Sequence, residues 1–262
     1  MNEILNENPS QEVACTQFSN TEAVVEHRFE NTNVNRWIVL NNLIDLDSAS
    51  REKLLAKLSS LSPDFLILNG DSYLDEIFEH VDAIGIPWFS VIGDRDLADV
   101  DDYLKTIGTN AMYIDIDQIR IVLIDTADQE ISNTQYTFLE KAISSNQPKT
   151  KLPPQIKLVF SHIPPMSKHD SDLQFHYRPD AARVIELCNQ KNVDLWFTSH
   201  NLRDEAQDIY HQSHRFRKIQ QGLAKQITLF EKTTECQTSQ DWEILAITEE
   251  KICVRYQKIE LD

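Results

Sequence analysis

The chain has 262 residues, 41% of them hydrophobic, and carries 25 Lys+Arg against 42 Asp+Glu for a formal net charge of −17. At 30.3 kDa it is long enough to bury a sizeable core as one domain. An acidic surface repels phosphate backbones and anionic headgroups, so neither a nucleic-acid nor a membrane partner is expected. No basic segment followed by an apolar core opens the chain, and no apolar run approaches the roughly 20 residues that cross a bilayer, which reads as a cytoplasmic protein. Cys15, Cys188, Cys236 and Cys253 are scattered without a C-x-x-C pair, and the plain reading is reduced thiols.

Residues 1–34 are polar and read as a tail or an added edge strand, with a short strand at Ala23-Val24-Val25. A single domain then occupies 35–262. Trp37-Ile38-Val39-Leu40 reads as a buried strand, followed by a helix capped at Ser50 with Leu54, Leu55, Leu58 and Leu61 on one face. Phe65-Leu66-Ile67-Leu68 is the next strand. Leu74, Ile77, Phe78, Val81 and Ile84 repeat at helix spacing before Trp88-Phe89-Ser90-Val91-Ile92, and Val100, Tyr103, Leu104 and Ile107 mark a further helix. Ala111–Asp115 and Ile119–Ile124 are close enough to pair as a hairpin. Phe138, Leu139 and Ala142 mark another helix, then strand Ile156–Phe160, then a helix opened by Pro179 that carries Ala181, Val184, Ile185 and Cys188 inward. Val193–Phe197 is a strand, and the segments Trp242–Ile247 and Lys251–Tyr256 alternate like antiparallel strands. The class is α/β, with a mixed sheet or two-sheet sandwich flanked by helices.

Five of the apolar runs end on polar tips: Asn41-Asn42, Asn69-Gly70-Asp71, Gly93-Asp94-Arg95-Asp96, Ser161-His162 and Thr198-Ser199-His200. In open α/β folds such tips converge on one crevice at the carboxyl ends of the strands. Their order, together with Ile119–Thr126, Gln135–Glu140 and Ser161-His162-Ile163-Pro164-Pro165, resembles the calcineurin-like metallophosphoesterases, and within them the bacterial cyclic-nucleotide phosphodiesterases. The likeness spans about residues 36 to 258, and it implies a four-layer αββα sandwich with mixed sheets. It also implies two divalent metals, bridged by a carboxylate and a water and used for in-line attack on a phosphate ester.

The resemblance maps two ligand sets onto this chain. The first metal's set falls on Asn42, Ile44, Asp71 and Leu202, where Ile44 and Leu202 have no ligating atom and Asn42 has replaced a charged ligand. The second falls on Asp71, Asp94, His162 and His200, all able to bind a metal. Arg95 stands at the catalytic position of the histidine that assists the leaving group. Degeneration has therefore struck one metal position and spared the other. The expected protein is a non-catalytic or strongly impaired homologue that binds a protein partner or a phosphate-bearing small molecule. The alternative is a one-metal phosphodiesterase acting on a phosphate ester such as a cyclic nucleotide. The cofactor is one divalent zinc, manganese or iron ion, or none if the site is fully degenerate, in which case Arg95 supplies positive charge to Asp71 and Asp94.

Several neighbouring groups carry competing readings. Asp45 and Asp47 lie just past the damaged first tip and read as helix-start or loop carboxylates sooner than as substitute ligands. Asp96 and Asp125 resemble family positions that brace loops through hydrogen bonds. The cationic stretch His211–Lys218 reads first as an exposed strand or loop and second as an anion-binding rim of the site. Ser161-His162 and Ser199-His200 set hydroxyls beside imidazoles, but no G-x-S-x-G elbow accompanies them, and no G-x-G-x-x-G follows the first strand.

Overall fold

A computed structural model describes residues 11–17, 23–29, 34–72, 79, 81–144, 154–167, 174–200, 205–211, 214–220, 226–239, 241–249 and 251–260; for 11–17, 23–29, 205–211, 214–216, 218, 220 and 226 it describes the backbone only. Leu74, Ile77, Phe78 and Leu202 lie outside the described residues.

Two strands, β1 (Gln11–Gln17) and β2 (Ala23–Phe29), precede the first buried strand, β3 (Arg36–Leu40). A short 3-10 turn at Leu43–Asp45 leads into α1 (Ser48–Leu61) and β4 (Phe65–Asn69). Then come β5 (Trp88–Val91), α2 (Val100–Ile107), and the strands β6 (Met112–Ile116) and β7 (Ile119–Leu123), which pair antiparallel around Asp117-Gln118. Next follow α3 (Asn133–Ser144), β8 (Ile156–Phe160), α4 (Arg178–Gln190) and β9 (Leu195–Thr198). The chain closes through β10 (Glu205–His211), β11 (His214–Gln220), β12 (Gln226–Thr233), β13 (Glu243–Ile247) and β14 (Cys253–Glu260).

These strands build two mixed sheets, one ordered β1-β2-β6-β7-β8-β9-β11-β10 and the other β13-β14-β12-β3-β4-β5. Their facing sides share one core, in which Trp37 stacks between Phe65 and Phe230 at centroid distances of 5.8 and 5.5 Å. The outer face of the first sheet is covered by Phe138, Leu139 and Ala142 of α3 and by Val184 and Cys188 of α4. Leu54 and Leu58 of α1, one helical turn apart, cover the outer face of the second. The architecture is therefore the four-layer αββα sandwich that the resemblance implies. Strands β3, β4, β7, β8 and β9 are buried on both faces and read as continuous apolar runs for that reason.

Two local expectations are corrected, and the second reading of the cationic stretch loses support. Helix α1 starts two residues before Ser50, because the Asp47 carboxylate accepts the Ser50 N–H at 2.8 Å and is the cap. Cys236 and Cys253 form a disulfide, with Cα atoms 5.6 Å apart, where reduced thiols were expected. Folding sets the segment after β12 beside the start of β14, a proximity that a spacing of 17 residues does not announce. Disulfides persist mainly in oxidising compartments. Finally, β11 runs parallel to β9 with Arg217 opposite Leu195 and Gln220 opposite Thr198. The cationic stretch thus lies at the amino end of β9, about 10 Å or more from the tip that carries His200. Among the described residues, no helix is long and apolar enough to cross a membrane.

Candidate functional site

The five polar tips follow β3, β4 and β5 of one sheet, with β5 at its edge, and the central strands β8 and β9 of the other. Because the strands of each group run parallel, their carboxyl ends open on the same side of the sandwich. Backbone bonds knit the tips together. Asn42 N–H donates to the Gly70 carbonyl at 3.2 Å, Ile44 N–H to the Asp71 carbonyl at 3.2 Å, and Ser199 N–H to the His162 carbonyl at 3.0 Å.

Two glycines permit this closeness. Gly70 has φ +86°, and a Cβ there would overlap the His162 imidazole; a Cβ on Gly93 would overlap Asp71. Asp96 braces the same corner, its carboxylate accepting the N–H groups of Gly93 at 2.7 Å, Asp71 at 3.0 Å and Ser72 at 3.2 Å. Asp125 likewise accepts the Ala127 N–H at 2.9 Å and the Asn110 amide at 3.0 Å.

Asp94, His162 and His200 converge. Asp94 Oδ1 lies 2.9 Å from His162 Nε2 and 2.9 Å from His200 Nδ1, and the two ring nitrogens are 3.3 Å apart. Asp71 stands at the edge of this group, with Oδ1 3.5 Å from His162 Nε2 and also accepting the Arg95 N–H at 3.2 Å. Ligands about 2.0–2.1 Å from a tetrahedral ion lie about 3.3 Å from one another, so the cluster has the dimensions of a metal's ligand shell. Two imidazoles with carboxylate oxygens suit zinc, manganese or iron.

The hydrogen bonds around His162 agree. The ring is fully buried, and its Nδ1 lies 3.0 Å from the Asn69 carbonyl and 2.9 Å from Ser199 Oγ. A carbonyl only accepts, so Nδ1 carries the proton and Nε2 turns toward Asp94 and Asp71. A neutral ring would then set a lone pair against a carboxylate, which needs a cation between them. Burial opposes protonation of His162, yet the hydrogen bond to Asp94 and the charge of Asp71 raise its pKa above the ordinary value. Burial likewise raises the Asp94 pKa, but hydrogen bonds from His162 and His200 outweigh it and hold the carboxyl well below the usual range. The group thus requires positive charge, and either protons or one metal ion supplies it.

The residues that the resemblance maps to the other ligand set are built differently. Asn42 is buried, with φ 51°, and Ile44 packs with the apolar cluster under α1. Beside Asp71 stands Arg95, whose Nε lies 3.3 Å from Asp71 Oδ2 and whose Nη1 and Nη2 fork the Asp45 carboxylate at 2.6 and 3.3 Å. Of the two carboxylates past the first tip, Asp47 caps a helix and Asp45 pairs with Arg95.

Ser199 and Asn69 support His162 in a way that the sequence does not announce. The Ser199 hydroxyl donates to the Asn69 carbonyl and accepts the Asn69 amide at 3.2 Å. Ser161 Oγ accepts the Trp196 indole N–H at 2.8 Å and donates to the Ile163 carbonyl at 3.1 Å. Both hydroxyls are fully buried and committed, which agrees with setting aside a serine nucleophile.

No protein-family sequence model matches the chain, and no curated protein sequence matches it. Solved structures do. A dimetal phosphatase from Danio rerio is similar at a TM-score of 0.56 and 12% identity, over 87% of this chain and 99% of that one. A purple acid phosphatase from yellow lupin (Lupinus luteus) seeds is similar at 0.58 and 10% identity, over 84% of this chain and 55% of that one. GAP50, the anchor in the inner membrane complex of Plasmodium, is similar at 0.53 and 15% identity, over 72% of each chain. At these identities the likeness is one of fold, and that fold is the calcineurin-like phosphoesterase sandwich.

Proposed function

We propose that this chain is a phosphoesterase-fold protein with one divalent metal, strongly impaired in catalysis, that acts by binding a phosphate-bearing ligand or partner. The carrying observation is the asymmetry of the site. Asp94, His162 and His200 offer three ligand atoms within 4.8 Å of one another, while the first-metal position carries Asn42, Ile44 and a guanidinium. Asp94, His162 and His200 would hold the ion, with Asp71 as the fourth ligand if it turns from Arg95. A metal so bound supplies Lewis-acid polarisation of a phosphoryl oxygen. The chain's own residues then position: Asn69 and Ser199 aim His162, Asp96 fixes the loop bearing Asp94, and Arg95 faces the ligand as a fixed cation. A two-metal mechanism clamps both the attacking and the leaving oxygen, and here one side of that clamp is missing.

The same fold serves a dimetal phosphatase in one similar structure and an anchor in another, so it accommodates both hydrolysis and binding. A residual one-metal activity, on a phosphodiester such as a cyclic nucleotide, is the second reading, favoured by the surviving ligand trio. Metal analysis of protein purified without added metal, paired with turnover of bis(p-nitrophenyl) phosphate, decides between them. The expected result is about one equivalent of metal, lost in His162→Ala, with turnover at the level of free metal ion. Turnover abolished by Asp71→Ala or His162→Ala would establish an enzyme, and a metal-free protein that takes up no zinc would overturn the metal centre.

A further inference from the structure

Arg95 is held by four contacts, more than a simple surface salt bridge requires. Its side chain reaches both Asp45 oxygens and Asp71 Oδ2, while its backbone N–H holds Asp71 Oδ1. The guanidinium therefore lies on the Asp71 oxygen other than the one that faces His162. It borders the proposed metal position and solvent at once, since the side chains of Arg95 and Asp45 are 47% and 38% exposed.

We propose that Arg95 is one arm of a phosphate clamp whose other arm is the metal held by Asp94, His162 and His200, and that Asp45 occupies the anion seat of Arg95 until a phosphate group displaces it. The proposal rests on the single-metal reading above and adds a ligand seat with a built-in competitor. A guanidinium fork fits two oxygens of a carboxylate or of a phosphate equally well, so Asp45 marks the place where phosphate oxygens dock. The exposed pair contributes little stability and is readily exchanged. Asp45 also sits on a three-residue 3-10 turn, fixed by its N–H to the Asn42 carbonyl at 3.1 Å, so the side chain can swing without moving the tip.

Charge explains why displacement is needed. Asp45, Asp71 and Asp94 bring three negative charges, and Arg95 with a divalent ion brings three positive ones. The loaded site is neutral, so a phosphate dianion entering beside an immobile Asp45 would meet like charge. With Asp45 neutralised the site is cationic and receives the anion directly. No bond is made or broken. The ligand class is a phosphate monoester or inorganic phosphate, whose oxygens can reach the metal and the guanidinium together.

The test is equilibrium dialysis of radiolabelled inorganic phosphate against the full chain, zinc-loaded and chelator-treated, as wild type, Asp45→Asn, Arg95→Ala, Arg95→Lys and the Asp45→Asn/Arg95→Ala double variant. Asp45→Asn should tighten binding about tenfold and Arg95→Ala should weaken it about tenfold, with Arg95→Lys between wild type and Arg95→Ala. The gain from Asp45→Asn should vanish in the double variant. An Asp45→Asn protein that binds no tighter, or an Arg95→Ala protein that binds as tightly as wild type, overturns the clamp. If Arg95→Ala does not fold, Arg95→Lys decides by the same criterion. Failure of the single-metal reading shows separately, as absence of zinc from the wild type, because the coupling of Asp45 to Arg95 is also read on chelator-treated protein.

Discussion

Ser199 stands directly before the fifth-tip histidine, and its hydroxyl completes the support of His162. That hydroxyl bridges the Asn69 carbonyl, the Asn69 amide and His162 Nδ1 in a site closed to water. Partners of this kind orient a metal-binding imidazole and fix its tautomer. Ser199→Ala is expected to weaken zinc binding about tenfold, read by competition with a chromophoric chelator, with unfolding by urea little changed. Unaltered zinc affinity would mean that the Asn69 carbonyl alone aims the ring. His200, directly after Ser199, has φ 67°, and Asn42 and Asp71 also take left-handed backbone, at 51° and 52°. Such conformations cost about 1–3 kcal/mol each and gather at functional sites. The hydrogen bonds among the tips hold them in place.

At the scale of elements, the turn after β3 illustrates how two neighbouring carboxylates acquire different work. Asp47 satisfies a free N–H at the start of α1, whereas Asp45, two residues earlier, reaches across to the tip of β5. Asp47→Ala should therefore cost about 1 kcal/mol in urea unfolding, the typical loss of a helix cap, and leave phosphate affinity unchanged. A change in phosphate affinity would show that the turn carries Asp45 with it. The alternation of apolar runs and helical stripes was readable because β3, β4, β7, β8 and β9 had to be apolar on both faces. The direction of β11 was not, because nothing local tells a strand which neighbour it joins or in which sense. Only the pairing with β9 carries the basic stretch to the end away from the tips.

For the whole molecule, pH acts through the same cluster in opposite senses with and without metal. In the metal-free protein the raised pKa of His162 contributes stability that is fully present below its ordinary value of 6.5 and is lost as pH rises through the folded value. Asp94, depressed by its histidine partners, contributes stability above its ordinary value of 3.8 that is lost as pH falls. Metal binding displaces the histidine protons, so the stabilisation by zinc must grow as pH rises. Thermal melts in chelator should fall in Tm from pH 6 toward pH 9, whereas the Tm increment from saturating zinc should widen over the same range. An increment independent of pH would remove His162 from the ligand set.

The sequence by itself determined the layers of this fold and the order of its polar tips, because apolar periodicity and strand-end chemistry are local properties of the chain. It also carried the contrast between the two candidate ligand sets, since the Ile44 side chain has no ligating atom in any conformation. The tertiary structure decided the rest. It pairs Cys236 with Cys253, joins Arg95 to Asp45 across the tips, and separates the basic stretch from the site. Each of these depends on a distance between groups far apart in the chain, and such distances are fixed only when the two sheets pack.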